Sequence, residues 1–458
     1  MSAPANFSAA SLRQVLHDQL FVEKNRAVYV AFSGGLDSHV LLHALAGLAS
    51  DYPFSLKAIH IDHSLQLQSA AWADHCQQVC DSLSVPLTIR TPGINQKKGE
   101  SLEAAARDAR YAALAECLPE GGLCMTAQHR NDQTETLLLQ LLRGAGVHGL
   151  AAMPASKNFA MGRLLRPLLA FSREDLLEYA NRHRLVWIED PSNQDNRFDR
   201  NFLRNEVLPV LRERWPGMDK SLSRSSRHAA SAATMLDGLA SSDLLSCKVA
   251  SNHFFPPCIA CLNASLLAGM SPVHRANALR YWVRVNGLPV PGDERIQTLS
   301  QLLEESSAKG SVNWPGGVIR LDNNMLWLCD KPDDVQAVDG FLDWILPDPL
   351  QIQNLQLQAT KVRGEGLAKS RLEGLVLRAG FRHGGEQCRM PGDHGSKPLK
   401  TLFQDLSIAS WMRDSVPLIF LDDELVAVSS FWSHPHYLPA PDEEGYVFSV
   451  HYIRPDNE

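Results

Sequence analysis

The run Ala27-Val-Tyr-Val-Ala-Phe32, followed at once by Ser33-Gly-Gly-Leu-Asp-Ser38, constrains this chain more than any other segment. An unbroken apolar run of that length, closed by glycines, predicts a buried strand. The residues from Asp37 to about Leu48 have the spacing of a helix. Glycines at such a junction let backbone N–H groups approach an anion, and the following helix points its N-terminus at the same place. The expected ligand is therefore a phosphate held by Ser33, Gly34, Gly35, Leu36, Asp37 and Ser38. Asp37 can also hold magnesium, which prefers a carboxylate together with substrate phosphates. A plain structural turn is the alternative. The loop does not end in Gly-Lys-Ser/Thr, so it is not the P-loop of kinases and GTPases.

Strand and helix keep alternating beyond this point. Strands are expected at Leu56–Asp62, Val85–Arg90 and Leu123–Ala127, and helices at Ala70–Leu83, Ser101–Leu118 and Asp132–Arg143. That order predicts an α/β fold, a parallel sheet with helices on both faces that binds ligands beyond the carboxyl ends of its strands. Ser172-Arg-Glu-Asp175 reads as a capped helix start running to about His183, Asn201–Leu211 as a further helix, and Trp215-Pro-Gly217 as a stop. The expected domains are 1–217, a parallel-sheet nucleotide-binding domain; 218–340, mainly helical; and 341–458, small and mixed α/β. Lys331–Gly340 reads as the linker before the last.

Composition sets bounds on function. With 458 residues, 45% hydrophobic and 21% charged, the chain can bury more than one core. A net charge of −7 disfavours a whole-surface nucleic-acid binder but allows a local basic face. Nine irregularly spaced cysteines suit a reducing cytoplasm rather than a disulfide framework. No apolar run is long enough to predict a membrane span, and no secretory signal is visible.

Four further clusters carry polar residues to strand ends. His60-Ile-Asp-His63 closes the second strand; cleft lining is the expected role and a metal site the rival. Glu103, Arg107 and Arg110 share one helix face, either as a solvated stripe or with an arginine on an ATP phosphate. After the fourth strand, His129, Asp132 and Glu135 stand on a helix start; they either cap it or serve the phosphate site. Trp187–Asn193 and Arg200–Arg204 form either a capped loop with exposed arginines or an edge facing RNA or nucleotide, with Arg204 a candidate RNA contact. Cys258-Ile-Ala-Cys261 is a solitary pair and reads as coincidental.

Ser33–Ser38 resembles the pyrophosphate loop of the ATP pyrophosphatase superfamily, whose members split ATP between the α and β phosphates. The series Ser33–Ser38, His60–His63, Glu103–Tyr111, Thr126–Thr136, the Leu-Leu-Arg-Gly-Ala-Gly run at 141–146, Arg166–Leu169, Trp187–Asn193 and Arg200–Arg204 is similar, in order, to the N-terminal domain of the tRNA(Ile)-lysidine synthetases. Two positions depart from the family pattern. Asn131 stands where the family often has a first aspartate, and Ser-Leu-Gln-Leu-Gln follows His63 where many members carry an arginine.

The resemblance implies an ATP- and Mg2+-dependent carbon–nitrogen ligase. It would adenylate the wobble cytidine of the isoleucine tRNA bearing a CAU anticodon and then couple L-lysine to carbon 2, so that the tRNA reads AUA instead of AUG. Asp37, Arg110 and Asp132 are the expected catalytic residues, with His60, His63, Arg107, His129 and Glu135 around the nucleotide. The domain at 218–340 would bind substrate, and the one at 341–458 would grip tRNA. Arg382, Arg389, Lys397 and Lys400 concentrate positive charge in that last segment, although a solvated loop would look the same. The rivals are a tRNA 2-thiolation enzyme of the same superfamily and a catalytically silent tRNA-binding protein. A homodimer is left open.

Overall fold

The computed structural model describes residues 6–23, 26–49, 54–62, 69–93, 102–249, 258–305, 309–330, 340–353, 355–389, 395–406 and 408–452. His63, the stretch after it and residues 331–339 of the expected linker Lys331–Gly340 lie outside the described residues, as does the side chain of Glu103. The chain divides into two compact units, Met1–Met235 and Leu236–Glu458.

In the first unit the elements run α1 (Ala9–Gln14), β1 (Ala27–Ala31), α2 (Leu36–Leu48), β2 (Ser55–Ile61), α3 (Ser69–Ser82), β3 (Leu87–Arg90), α4 (Leu102–Glu116), β4 (Leu123–Met125) and α5 (Arg130–Leu142). They continue through α6 (Val147–Leu150), β5 (Ser156–Phe159), β6 (Gly162–Leu165), α7 (Arg173–Arg182), α8 (Asp199–Phe202), a π-helical turn at Leu203–Val207, α9 (Leu208–Arg214) and α10 (Met218–Cys247), whose later residues, from Leu236, belong to the second unit. The sheet order is β3-β2-β1-β4-β6-β5. β1 lies parallel to both β2 and β4, with Val28 opposite Leu123 and Val30 opposite Met125. Only β5 is antiparallel, as the outer arm of a hairpin with β6. The chain leaves β1 toward β2 on one side and returns to β4 on the other. The crevice beyond the ends of β1 and β4 is therefore the switch point where such sheets hold ligands.

Burial explains why the expected strands form. Val28 and Val30 are fully enclosed, and α2 packs Val40, Leu41, Leu42 and Leu45 into the same core. A helix apolar on nearly every face has no stable place at a surface. The hairpin was not legible in the sequence, since Ser156-Lys-Asn-Phe159 lacks an apolar strand signature. Its turn is fixed by a close approach: a Cβ on Gly162 would lie 2.0 Å from the Gly122 carbonyl oxygen. At Ser172 the predicted cap is present, with the Asp175 N–H donating to Ser172 Oγ at 3.2 Å.

The second unit opens with a four-stranded antiparallel sheet made from Cys258–Asn263, Met325–Cys329, Gly317–Asp322 and Gly310–Trp314. Helices Pro272–Val285 and Asp293–Glu304 cover one face, through Leu279, Val283 and Leu299 against Ile319, Leu326 and Leu328. Alternate residues, Val318, Trp327 and Cys329, point into a separate core shared with the C-terminal segment. That segment corrects the mixed α/β expectation. It consists mainly of antiparallel strands, in one sheet of five and another of four. Its apolar residues recur at every second position, as in Leu355 and Leu357 or Leu377 and Ala379, which is the period of a strand. The longest pairing, Leu355–Arg363 against Glu444–Tyr452, joins segments far apart in sequence. Among the described residues no helix is long and apolar enough to cross a membrane.

Leu41 is fully buried in α2 beneath β1. Leu41→Ala is expected to cost about 2–5 kcal/mol in urea unfolding of the first unit, since the emptied volume cannot fully collapse.

Candidate functional site

The loop after β1 is shaped for an anion. Gly34 has φ +81°, and a Cβ there would come within 2.9 Å of Ile188 Cδ1 and 3.0 Å of Cys76 Sγ. Its carbonyl accepts the Ile188 N–H at 3.0 Å, so the segment around Trp187–Glu189 clamps the loop from outside. Ser38 Oγ accepts the Ser33 N–H at 3.2 Å and donates to the Gly35 carbonyl at 3.0 Å, closing the turn on itself. Gly35 caps α2 without a side-chain bond, and the first-turn N–H groups that follow have no carbonyl of their own helix to reach. A negatively charged group is favoured at that end.

β4 brings the second half of the site to the same crevice. Its exit leads to His129, which begins α5 and is 2% exposed. The His129 N–H donates to Asp132 Oδ2 at 3.0 Å, while its Nε2 lies 3.5 Å from Asp132 Oδ2 and 3.6 Å from Asp37 Oδ2. This ring therefore joins the phosphate loop to α5. One helical turn on, Glu135 is 1% exposed. Isolated buried carboxylates of this kind would lose their charge. Here two arginines arrive from the segment after α7. Arg200 Nε donates to Glu135 Oε2 at 2.8 Å and its Nη2 to Asp132 Oδ1 at 3.0 Å. Arg204 Nε donates to Glu135 Oε1 at 2.7 Å and its Nη2 to Asp132 Oδ1 at 3.0 Å.

Charge balance follows. Burial acts to push Asp132 up, but His129, Arg200 and Arg204 outweigh it and hold the carboxyl below its ordinary range. Burial likewise acts to strip His129 of its proton, yet Asp132, Asp37 and Glu135 outweigh it and raise the imidazole above its ordinary value. Three carboxylates face two guanidiniums and one imidazole, so the cluster is neutral when His129 is protonated. Asp37 differs from the other two acids. Its Oδ1 is enclosed, and no described group hydrogen-bonds it.

The other sequence candidates fall around this cluster. His60 is buried, with Nδ1 donating to the Phe32 carbonyl at 2.9 Å and Cys76 Sγ 3.4 Å away, a position beneath the loop. Arg107 is exposed and lies over the Tyr111 ring at 5.3 Å, and Arg110 is exposed on the same helix. Arg204 sits in the carboxylate cluster. Arg382, in the second unit, pairs with Asp414 at 2.6 Å, and Arg389, Lys397 and Lys400 are exposed. Asn131 has a role that the sequence did not reveal: its Oδ1 accepts the Arg173 N–H at 3.1 Å and ties α7 to the first turn of α5. Arg200 was legible only as part of a basic run. The complementary spacing of Asp132/Glu135 and Arg200/Arg204, three and four residues apart, was the available signal.

The cysteines offer little chemistry. Burial pushes Cys76, Cys80 and Cys124 up to about 12 and Cys261 to about 11, so all four stay protonated at neutral pH. Among the described residues no group of three or more His, Cys, Asp or Glu could hold a metal ion unaided.

Comparison with known proteins agrees with this geometry. Residues 5–211 match the model of a PP-loop domain, residues 262–327 that of a TilS substrate binding domain, and residues 377–450 that of a TilS substrate C-terminal domain. The chain is 40% identical to a tRNA(Ile)-lysidine synthase of Coxiella burnetii, over 88% of each chain. It is 41% identical to one of Pseudomonas putida, over 88% of this chain and 92% of the relative. Among solved structures, the U34-tRNA thiolase NcsA from Methanococcus maripaludis aligns with 47% of this chain and 76% of its own, at TM-score 0.40 and 15% identity.

The imidazole carries a pH signature. Because folding raises its proton affinity, its share of stability is complete below about pH 6.5, the ordinary histidine value, and is lost as pH rises through the folded-state value. Asp132 acts in the opposite sense; its share is present above about 3.8 and is lost as pH falls through its depressed value. NMR titration of the metal-free, nucleotide-free protein is expected to place His129 above 6.5 and to show Asp132→Asn bringing it down. A His129 that titrates lower than a free imidazole would contradict this charge balance.

Proposed function

The chain belongs to the tRNA(Ile)-lysidine synthase family, and from that premise we propose how its own residues carry the reaction. It is an ATP-dependent tRNA-modifying ligase. The substrates in this proposal are the isoleucine tRNA with a CAU anticodon, ATP and L-lysine, met in the cytoplasm. The supporting observation is the meeting of the phosphate loop, through Asp37 and His129, with the Asp132–Glu135–Arg200–Arg204 cluster at the sheet's switch point.

ATP lies with its phosphates on the N–H groups of residues 34–38. The wobble cytidine O2 attacks the α-phosphorus, and pyrophosphate leaves. Loop amides and the α2 N-terminus stabilise the charge that develops on phosphate oxygens. Asp37 fits a magnesium ion, since its enclosed Oδ1 has no hydrogen-bond partner among the described residues and magnesium needs only one or two carboxylates beside phosphates. The ion would neutralise phosphate charge during that displacement. Asp132 and Glu135, each held by both arginines, orient α5 and, with Asp37, raise the proton affinity of His129. In the second step the neutral lysine amine attacks carbon 2 and AMP leaves. The amine must first lose a proton. Asp132 is a poor acceptor for it, because His129, Arg200 and Arg204 hold its carboxyl below the ordinary range.

The protonated cysteines disfavour the thiolation alternative, whose chemistry needs reactive sulfur in the catalytic unit. Incubation with ATP, radiolabelled lysine and the CAU-anticodon isoleucine tRNA tests the proposal. Lysine-labelled tRNA is expected, with AMP and pyrophosphate in equal amount. Tight tRNA binding without ATP–pyrophosphate exchange would point to the silent binder.

Two variants probe the parts. Asp37→Asn is expected to fold normally yet lose adenylation by at least about a hundredfold, the range seen when one electrostatic stabiliser is removed. Near-normal AMP transfer to tRNA would remove Asp37 from the reaction. Lys397→Ala/Lys400→Ala is expected to raise KM for tRNA while kcat at saturation and KM for ATP hold, as for a group gripping ground state and transition state alike. A large fall in kcat with unchanged tRNA affinity would place this segment in alignment of the reacting base instead.

A further inference from the structure

The helix α10 begins with a feature that the reaction above does not use. Residues 220–236 contain Lys220, Arg224, Arg227 and His228 and no carboxylate, within a chain of net charge −7. Lys220, Arg224 and Arg227 stand at i, i+4 and i+7, so they share one face over about 10 Å of helix. All three are exposed, whereas Ser226 and Ala233 on the other side are buried. Among the described residues none of the three makes an ion pair, whereas Arg182, Arg200, Arg204 and Arg212 of the same unit do. Like charges stacked without partners destabilise a helix, so their concentration here has no folding rationale.

The stripe is mounted rigidly on the site. Asp219, just before it, accepts Arg212 Nε at 2.8 Å and is also hydrogen-bonded to the Thr134 hydroxyl. Thr134 lies on α5 between Asp132 and Glu135. Arg227 is close enough to Arg130, the first residue of α5, for their charges to repel. α10 therefore leaves the helix that carries the catalytic cluster and shows three unpaired cations to solvent.

We propose that Lys220, Arg224 and Arg227 bind the sugar–phosphate backbone of the tRNA whose wobble base enters the β1/β4 crevice. The inference rests on the proposed function and assigns it a backbone contact within the first unit, separate from the basic segment of the second. Charge selects the occupant: a row of phosphates matches a row of lysine and arginine, and base edges are not required. The contact positions the tRNA and does not read its sequence.

The test is tRNA binding and steady-state lysidine formation by Lys220→Glu/Arg224→Glu/Arg227→Glu, beside the charge-conserving Lys220→Arg/Arg224→Lys/Arg227→Lys. The wild type is assayed first; if it makes no lysidine, the proposed function fails and the stripe is judged on binding alone. The glutamate variant is expected to keep its thermal midpoint, to lose at least about tenfold in tRNA affinity, and to flatten the slope of log K against log salt by about 2, near 0.7 per lost phosphate contact. The charge-conserving variant should match wild type in both. Unchanged affinity and salt slope in a folded glutamate variant would overturn the proposal. So would an equal loss in the charge-conserving variant, which would mark a structural role instead.

Discussion

The arrangement of the first unit depends on one charge cluster. Asp132 and Glu135 are buried on the first turns of α5, and neither could stay ionised there alone. Arg200 and Arg204 cross some 65–72 residues of sequence to hold both acids in forked bonds, and His129 closes the set toward Asp37. Charge-assisted forked pairs of this kind fix direction as well as distance. The cluster therefore orients three separate pieces of chain: the phosphate loop after β1, the start of α5 after β4, and the segment that follows α7. Arg200 and Arg204 straddle the junction where α8 passes into a π-helical turn, and insertions of that type are frequent at functional sites.

With His129 protonated the cluster is neutral, and that bears on ligand binding. Two of its three carboxylates are satisfied by arginine, which leaves Asp37 as the acid with an oxygen that no described group hydrogen-bonds. Carboxylates facing an incoming triphosphate would repel it unless they were compensated. Here the compensation is built in, and the amides at the start of α2 meet the phosphates without a competing negative field. Asn131 fits this picture. An aspartate at that position would add a fourth negative charge beside the cluster, whereas the amide oxygen of Asn131 accepts the Arg173 N–H and anchors α7 instead.

The sequence disclosed the catalytic half of the fold and little of the rest, for identifiable reasons. β1, the glycine turn and α2 were legible because their signals are local: an apolar run, two glycines and a helical period within some twenty residues. The cluster was legible only as separate charged patches, because the arginine bonds that hold it join positions 65 or more residues apart. Arg204 looked like a surface contact for RNA for the same reason. The hairpin of β5 and β6 carries polar residues and is set by the close approach of Gly162 to Gly122, which leaves no pattern in composition. In the C-terminal segment the strands are short, and the longest pairs with one about ninety residues away, so a period of two was harder to see than a helical period. Its basic residues were visible, but whether each was paired was not, as Arg382 with Asp414 illustrates.

Glu135 and Arg204 act as one unit that fixes α5 against the segment after α7. A double-mutant cycle on urea unfolding tests it directly, with Glu135→Gln, Arg204→Met and the double variant. Non-additivity of about 0.5–3 kcal/mol is expected, with the double variant less destabilised than the two single changes summed. Additivity within about 0.3 kcal/mol would mean that the two side chains stabilise the protein independently, and the cluster would not be what orients the site.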